Sequence, residues 1–241
     1  MRIYKVKNYD EMSVLAANFI KSVVTLKPSA VLGLATGSTP IGLYKKLIEW
    51  NKNGEIDFSN CKSVNLDEYV GLTGSHDQSY RYFMNTNLFD YINIDKNKTN
   101  VPNGVADDFD AECKRYDNII NSMGQIDIQV LGIGPNGHIG FNEPDDHFTL
   151  NTHIVSLTNE TLEANKRFFS SIDEVPKKAI TMGIKPIVNA KHVILLASGK
   201  AKANAVHDLV KGNVTPNCPA SILQLKDNAY IIVDEEAALK L

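Results

Sequence analysis

The chain lacks the features that mark membrane, secreted and nucleic-acid-binding proteins. Its apolar runs extend over only a few of the 241 residues, far short of the roughly 20 that a transmembrane helix needs. Lys and Arg number 25 against 28 Asp and Glu, so the basic surplus of a nucleic-acid-binding protein is missing. The first residues have no apolar signal-peptide core. These absences predict a cytoplasmic protein with no nucleic-acid and no membrane partner.

Cysteine is also scarce, and metal ligands are poorly spaced. The three cysteines are far apart, form no CxxC pair and are expected to be reduced thiols that pack in the core. Glycines and Pro144 prevent the candidate ligands from lining one helix face, as an HExxH motif requires. The sequence therefore predicts no metal site from this set: His138, Glu143, Asp145, Asp146, His147 and His153.

Short apolar strands alternate with amphipathic helices. Strands are predicted over 30–35, 63–66, 126–131, 193–197 and 230–233. Helices are predicted over 12–24, 40–50, 111–121, 159–169 and 202–211. Several strands are apolar throughout, which is typical of an α/β protein with a mainly parallel sheet covered on both faces. No linker or repeat divides the chain, so one domain is expected over 1–241. Ligands of such sheets bind beyond the carboxyl ends of the strands.

The loop after the first core strand has the composition of a phosphate site. Gly37 lets the backbone turn inward, and Thr36, Ser38 and Thr39 offer hydroxyl donors. Pro40 suits the first helical position, which would make Thr39 the N-cap. Helix capping without any ligand is the alternative that the pattern leaves open.

Two adjacent acids, Asp67 and Glu68, follow the second predicted strand. Neighbouring residues of an extended chain point to opposite sides, so at most one should face a site. That residue would be a carboxylate base whose pKa burial raises towards neutrality. Two solvated loop acids are the plainer alternative, and spacing does not choose between the two residues.

A glycine-rich segment, 132–137, matches the G-x-G-x-x-G pattern of dinucleotide sites. It does not open an amphipathic helix, so a dinucleotide site is not expected. The same loop carries Asn136, His138 and Glu143. A histidine oriented by a carboxylate or amide is suited to acid–base work such as opening a sugar ring. The alternative is a histidine that merely satisfies loop carbonyls.

Seven segments resemble the glucosamine-6-phosphate deaminase family, within the glucosamine/galactosamine-6-phosphate isomerases, over nearly the whole chain. The sequences at 67–72, Asp-Glu-Tyr-Val-Gly-Leu, and at 137–144, Gly-His-Ile-Gly-Phe-Asn-Glu-Pro, are the most specific. The others lie at 33–40, 79–84, 179–183, 198–203 and 219–225.

The resemblance implies a three-layer αβα, Rossmann-like domain without a nucleotide, and a cofactor-free conversion of glucosamine 6-phosphate to fructose 6-phosphate and ammonia. It implies that Asp67 is the enolisation base and that His138 opens the ring. The orienting residues would be Glu143 and Asn136. The 6-phosphate would be held by Thr36, Gly37, Ser38, Thr39, Arg167 and Lys202. A lid is expected around 145–175.

Some features depart from the family pattern. Asn136 stands where some members have Asp, so one carboxylate near His138 is missing. The chain also lacks the basic residues and the C-terminal extension with which hexameric members bind an allosteric sugar phosphate. We therefore expect a monomer rather than a hexamer, without such activation. A 6-phosphogluconolactonase and a non-catalytic sugar-phosphate sensor are the rival functions, and the sequence does not distinguish gluco from galacto substrates.

Overall fold

The computed structural model describes residues 1–158, 161–163, 166, 169, 171 and 174–241. Its main element is a seven-stranded sheet in the order β1-β10-β9-β6-β2-β3-β5, in which each neighbouring pair is parallel. The strands are β1 Arg2–Val6, β2 Val31–Leu34, β3 Lys62–Asn65, β5 Thr99–Asn100, β6 Ile128–Leu131, β9 His192–Ala197 and β10 Ala229–Asp234. Strands β2, β6 and β10 are buried along their whole length, as expected for a parallel sheet covered on both faces.

Six helices with described bounds accompany the sheet, and residues 161–163 are helical as well. They are α1 Tyr9–Leu26, α2 Ile41–Lys52, α3 Tyr80–Asn87, α4 Phe109–Ser122, α5 Ile184–Asn189 and α6 Ala203–Lys211. Three begin at side-chain caps, because Asn8, Ser79 and Asp108 each accept a hydrogen bond from a backbone N–H in the first turn. Helix α1 packs against α2 and against β9 and β10. None of the described helices is long and apolar enough to cross a membrane.

A second, smaller sheet joins β4 Asp67–Tyr69, β8 Lys178–Thr181 and β7 His153–Ser156 in antiparallel order. It begins where the chain leaves β3. Leu66 still donates its N–H to Leu34 of the large sheet, but its carbonyl accepts from Met182, and Asp67 pairs with Thr181. Leu66 therefore links the two sheets, and the acids that follow β3 are part of the small one.

The predicted α/β class with a mainly parallel sheet is confirmed. The predicted N-cap at Thr39 is wrong, because α2 begins at Ile41 after Pro40, and no side chain caps it. The last helix begins at Ala203 rather than Lys202, since 200–202 form a 3₁₀ turn. Strands β1, β4, β5, β7 and β8 and helices α3 and α5 were not predicted. The helix expected over 159–169 lies largely outside the described residues. The three cysteines are free and buried, as expected.

Candidate active site

Four loops meet at the carboxyl ends of β9, β6, β2 and β3, which are consecutive in the sheet. The chain runs from β2 outward to β3, whereas β6 lies on the other side of β2, so the direction of winding reverses there. Such a switch point leaves a crevice between diverging loops. A cavity of about 480 Å³ opens at this place. The predicted site residues that line it are Thr36, Gly37, Ser38, Thr39, Asp67, Asn136, His138 and Lys202.

The loop after β2 is shaped by two tyrosines. Tyr44 donates its hydroxyl to the carbonyl of Ala35 at 2.6 Å, and Tyr9 donates to the carbonyl of Ser38 at 3.1 Å. The Tyr9 hydroxyl also accepts the N–H of Gly42 at 2.8 Å, so this first-turn donor of α2 is already used. Gly37 has a φ of +88°, which turns the backbone towards the cavity. An anion in this loop would therefore meet the donors of residues 36–39.

Asp67 and Glu68 point to different sides of β4, as expected. Asp67 lines the cavity and is 5% exposed. Burial, and then the nearby Glu68 carboxylate, raise the pKa of Asp67 to about 8 from its usual 3.8. Glu68 is 2% exposed and accepts hydrogen bonds from backbone N–H groups instead of facing the cavity. Asp67 is thus the acid with access to a substrate, and its pKa lies in the range of a base that works near neutral pH.

The glycine-rich loop after β6 forms a turn and not a helix, which supports the prediction against a dinucleotide site. Gly134 donates its N–H to the carbonyl of His138 at 2.9 Å. A β-carbon at Gly134 would lie 2.3 Å from Cε1 of the His138 ring. Only glycine therefore leaves room for the imidazole to fold back on its own loop and still line the cavity.

Behind the imidazole lies Glu143, whose Oε2 is 3.3 Å from Nδ1 of His138. The same oxygen accepts the Asn136 amide at 2.8 Å, and the other carboxylate oxygen accepts the Thr161 hydroxyl. Burial opposes ionisation of Glu143, but the nearby His138 imidazole and the hydrogen bonds from Thr161 and Asn136 outweigh it and lower the carboxyl pKa. Glu143 is thus a carboxylate facing the ring. Asn136 contacts Glu143 and the backbone N–H of His138, so it orients the ring indirectly.

Of the two lysines in the turn after β9, only one lines the cavity. Lys202 lines the cavity, whereas Lys200 is exposed and is not one of the lining residues. The turn that carries them is held by Asp234, which accepts the Ser198 hydroxyl and the Gly199 N–H. Arg167 lies outside the described residues.

Sequence reasoning missed two aromatic walls of the cavity, Tyr80 and Phe141. Their rings are stacked at 5.9 Å with an interplanar angle of 13°. Thr161 was missed as well. Phe141 and Tyr80 fall within matching segments of the family, but nothing in their spacing indicates a shared wall.

Two other features do not combine acid–base groups in this way. A cleft of about 720 Å³ is larger than the cavity, but amides and the side chains of Lys114, Asp117 and Lys185 supply its polar lining. Asp145, Asp146 and His147 lie close together on the surface, all exposed. Exposed groupings of this kind are common without an ion, so we place the site in the smaller cavity.

Known proteins resemble the chain over its full length. Residues 7–232 match the family model described as glucosamine-6-phosphate isomerases/6-phosphogluconolactonase. A glucosamine-6-phosphate deaminase of Clostridium botulinum is 56% identical over 241 residues, covering 100% of this chain and 99% of the relative. One of Clostridium perfringens is 55% identical over 238 residues, covering 99% and 98%.

Two solved structures show the fold. A monomeric glucosamine-6-phosphate deaminase, described as a missing link of its superfamily, superposes with a TM-score of 0.98 at 46% identity, over 100% of both chains. A 6-phosphogluconolactonase from Thermotoga maritima reaches a TM-score of 0.75 at 20% identity, covering 97% of this chain and 98% of its own, and shares the fold alone. The chain belongs to the glucosamine-6-phosphate isomerase/6-phosphogluconolactonase family.

Proposed function

We propose that the chain is an enzyme that converts glucosamine 6-phosphate and water to fructose 6-phosphate and ammonia. The observation that carries this proposal is that a buried carboxyl group, Asp67, and a carboxylate-backed imidazole, His138, line one cavity. The high identity to deaminases of two Clostridium species favours this reaction over lactone hydrolysis. No cofactor is required for it.

His138 opens the sugar ring in this proposal. Ring opening removes a proton from the O1 hydroxyl and delivers one to the ring oxygen, and an imidazole can do both. The negative charge of Glu143 stabilises the imidazole while it carries the extra proton. Asn136 keeps Glu143 in position by donating its amide to the carboxylate.

Asp67 then moves the proton from C2 to C1 of the open chain. The C2–H bond breaks as Asp67 takes the proton, and His138 gives O1 the proton that completes an enol between C1 and C2. Asp67 then returns its proton to C1, which leaves a protonated imine at C2, and His138 recovers a proton when water adds. Water adds to this imine and ammonia departs, which leaves the ketone of fructose 6-phosphate. A base with a pKa of about 8 is stronger than an ordinary carboxylate and is still partly ionised at neutral pH.

The 6-phosphate is held by the loop after β2 and by two cations. These residues are Thr36, Gly37, Ser38 and Thr39, with Lys202 and Arg167. The inward turn at Gly37 and the cavity position of Lys202 support this assignment. We also propose that the protein is a cytoplasmic monomer, as a 46% identical relative is described as monomeric. A single domain over 1–241 and a lid around 145–175 stay predictions. Within that lid segment β7 pairs with β8, which ties 153–156 to the small sheet.

One assay tests the proposal. Purified protein is incubated with glucosamine 6-phosphate, and fructose 6-phosphate and ammonia are followed together, with 6-phosphogluconolactone as the competing substrate. Equal release of both products is expected. In Asp67→Asn the rate should fall by about 10² to 10⁴, the typical contribution of general acid–base catalysis, while a non-reacting hexose 6-phosphate still binds. Lactone hydrolysis without ammonia release, or normal turnover in Asp67→Asn, would contradict it.

A further inference from the structure

Glu68 is a buried acid that the proposed chemistry does not use. It is 2% exposed, it follows Asp67 in β4, and its side chain is on the opposite side of the strand from the cavity. Burying a carboxylate is costly unless donors compensate for the lost water. The hydrogen-bond donors around Glu68 should therefore show how its burial is compensated.

Three backbone N–H groups surround this carboxylate. Oε1 accepts from Tyr69 at 2.8 Å and from Tyr80 at 2.9 Å, and Oε2 accepts from Arg81 at 3.0 Å. Two of these donors belong to the first turn of α3, where unpaired N–H groups and the helix dipole favour a negative charge. Among the described residues no cation forms an ion pair with Glu68, since the Arg81 guanidinium donates to Thr99 instead.

We propose that Glu68 is a positioning residue of the reaction: its carboxylate accepts hydrogen bonds from the first turn of α3, which holds that turn against β4, and it places a negative charge beside Asp67. This rests on the proposed role of Asp67 as the base. The charge makes Asp67 harder to ionise and therefore a stronger base once ionised. The tie to α3 also fixes Tyr80, whose ring lines the cavity and stacks on Phe141.

The different surroundings of the two acids support the proposal. Burial raises the pKa of Glu68, and the three N–H bonds to its carboxylate oppose that effect. No described residue donates a hydrogen bond to the Asp67 carboxyl, and burial and the charge of Glu68 both raise its pKa. The N–H groups therefore favour the charged form of Glu68, and that charge opposes ionisation of Asp67.

Other titratable groups face this pair from each neighbouring element. Tyr69 is on β4, Tyr80 and Arg81 are on α3, and Tyr116 reaches from α4 to the Asn65 backbone. His138 and Lys202 lie across the cavity. Glu68→Gln removes none of these groups and keeps one acceptor for the α3 N–H groups, so a shift in the pH profile reports the loss of the Glu68 charge.

The test compares the pH dependence of kcat/KM in Glu68→Gln and the unaltered protein. Gln keeps the size and one acceptor but removes the charge. The acidic limb is expected to move about one pH unit lower, with kcat several-fold lower at the plateau and KM within about twofold. The amine and phosphate of the substrate titrate equally in both reactions, so their contribution cancels in the comparison.

Two further variants separate charge from structure. Glu68→Asp keeps the charge but shortens the reach to α3, so its acidic limb should stay in place while Tm falls. Ser79→Ala removes the cap bond to the Tyr82 N–H and keeps Glu68, so it should lower Tm and leave the limb unmoved.

The inference is overturned if the acidic limb of the kcat/KM profile does not move in Glu68→Gln. If Asp67→Asn is inactive in the same assay, the proposed function still stands. A limb that moves lower in Glu68→Asp overturns it as well, so the test does not depend on Glu68→Gln folding. Normal turnover in Asp67→Asn would instead show that Asp67 is not the base.

Discussion

Nδ1 of His138 lies 3.3 Å from Oε2 of Glu143, the oxygen that also accepts the Asn136 amide. The Nδ1 contact is close but not an aligned hydrogen bond in this arrangement. The Glu143 carboxylate can accept a hydrogen bond from a protonated Nδ1 of His138. In the proposed reaction, Nε2 would then be the ring nitrogen that meets the substrate.

Glu143→Gln should lower kcat by about 10²-fold, because the neutral amide no longer stabilises a protonated imidazole. KM should change little, since Glu143 does not line the cavity. Steady-state kinetics measure both. Thr161→Val is the matched control: it removes the hydrogen bond to the other oxygen but keeps the charge, and should cost clearly less. Equal losses in the two variants would argue against a role for the charge.

Asp67→Asn should become more stable than the unaltered protein as the pH rises. The pKa of Asp67 is about 8 in the folded state against 3.8 ordinarily, so the folded state retains a proton that the unfolded chain releases. The unaltered protein therefore loses stability as the pH rises from about 4 to about 8. The variant does not, because Asn has no proton to release. Thermal unfolding at pH 5 and pH 9 measures it. The Tm difference should grow by several degrees; a constant difference would contradict the raised pKa.

Gly134→Ala should reduce turnover at least tenfold in a protein that still folds. Its new methyl group would lie 2.3 Å from the His138 ring, so the ring must move. Gly132→Ala is a control in the same loop, because a β-carbon there meets no atom within 4 Å. Circular dichroism checks folding and the ammonia assay checks activity. A larger loss in Gly132→Ala than in Gly134→Ala would show that space around the ring is not the limiting factor.

Lys202→Ala should raise KM for the sugar phosphate about tenfold or more and change kcat less, because a cation at the phosphate acts in binding. Lys200→Ala removes an exposed lysine two positions away, and its kinetics should stay near normal. Raising the salt concentration should weaken the difference between the two. If Lys200→Ala had the larger KM, the phosphate would lie elsewhere.

Asn136→Asp should make stability more sensitive to alkaline pH. The Asn136 amide nitrogen is 2.8 Å from the Glu143 carboxylate, so an aspartate there would bring two acids together. One of them must then hold a proton, its pKa is raised by the like charge, and stability falls as rising pH removes that proton. Thermal unfolding at pH 6 and pH 9 measures the effect. A Tm loss that is no larger at pH 9 would show that the two carboxylates do not meet.

Local patterns in the sequence were sufficient for five of the seven strands of the large parallel sheet and for the loops that follow them. Apolar runs such as 30–35 and 193–197 bury both faces of a strand, and a carboxyl-end site follows from parallel topology. The segments at 67–72 and 137–144 also identified the family from the chain alone. These conclusions depend on residues close in sequence, where periodicity and turn chemistry act.

The family resemblance named Asp67, but only the tertiary structure shows that this acid faces the cavity. Strand alternation separates Asp67 from Glu68 but assigns neither, and the choice follows from the pairing of Asp67 with Thr181 and from the N–H groups of α3. The tertiary structure also decided that Asn136 hydrogen-bonds to Glu143 and that no side chain caps the start of α2. Each depends on contacts between segments distant in sequence, which no local pattern encodes.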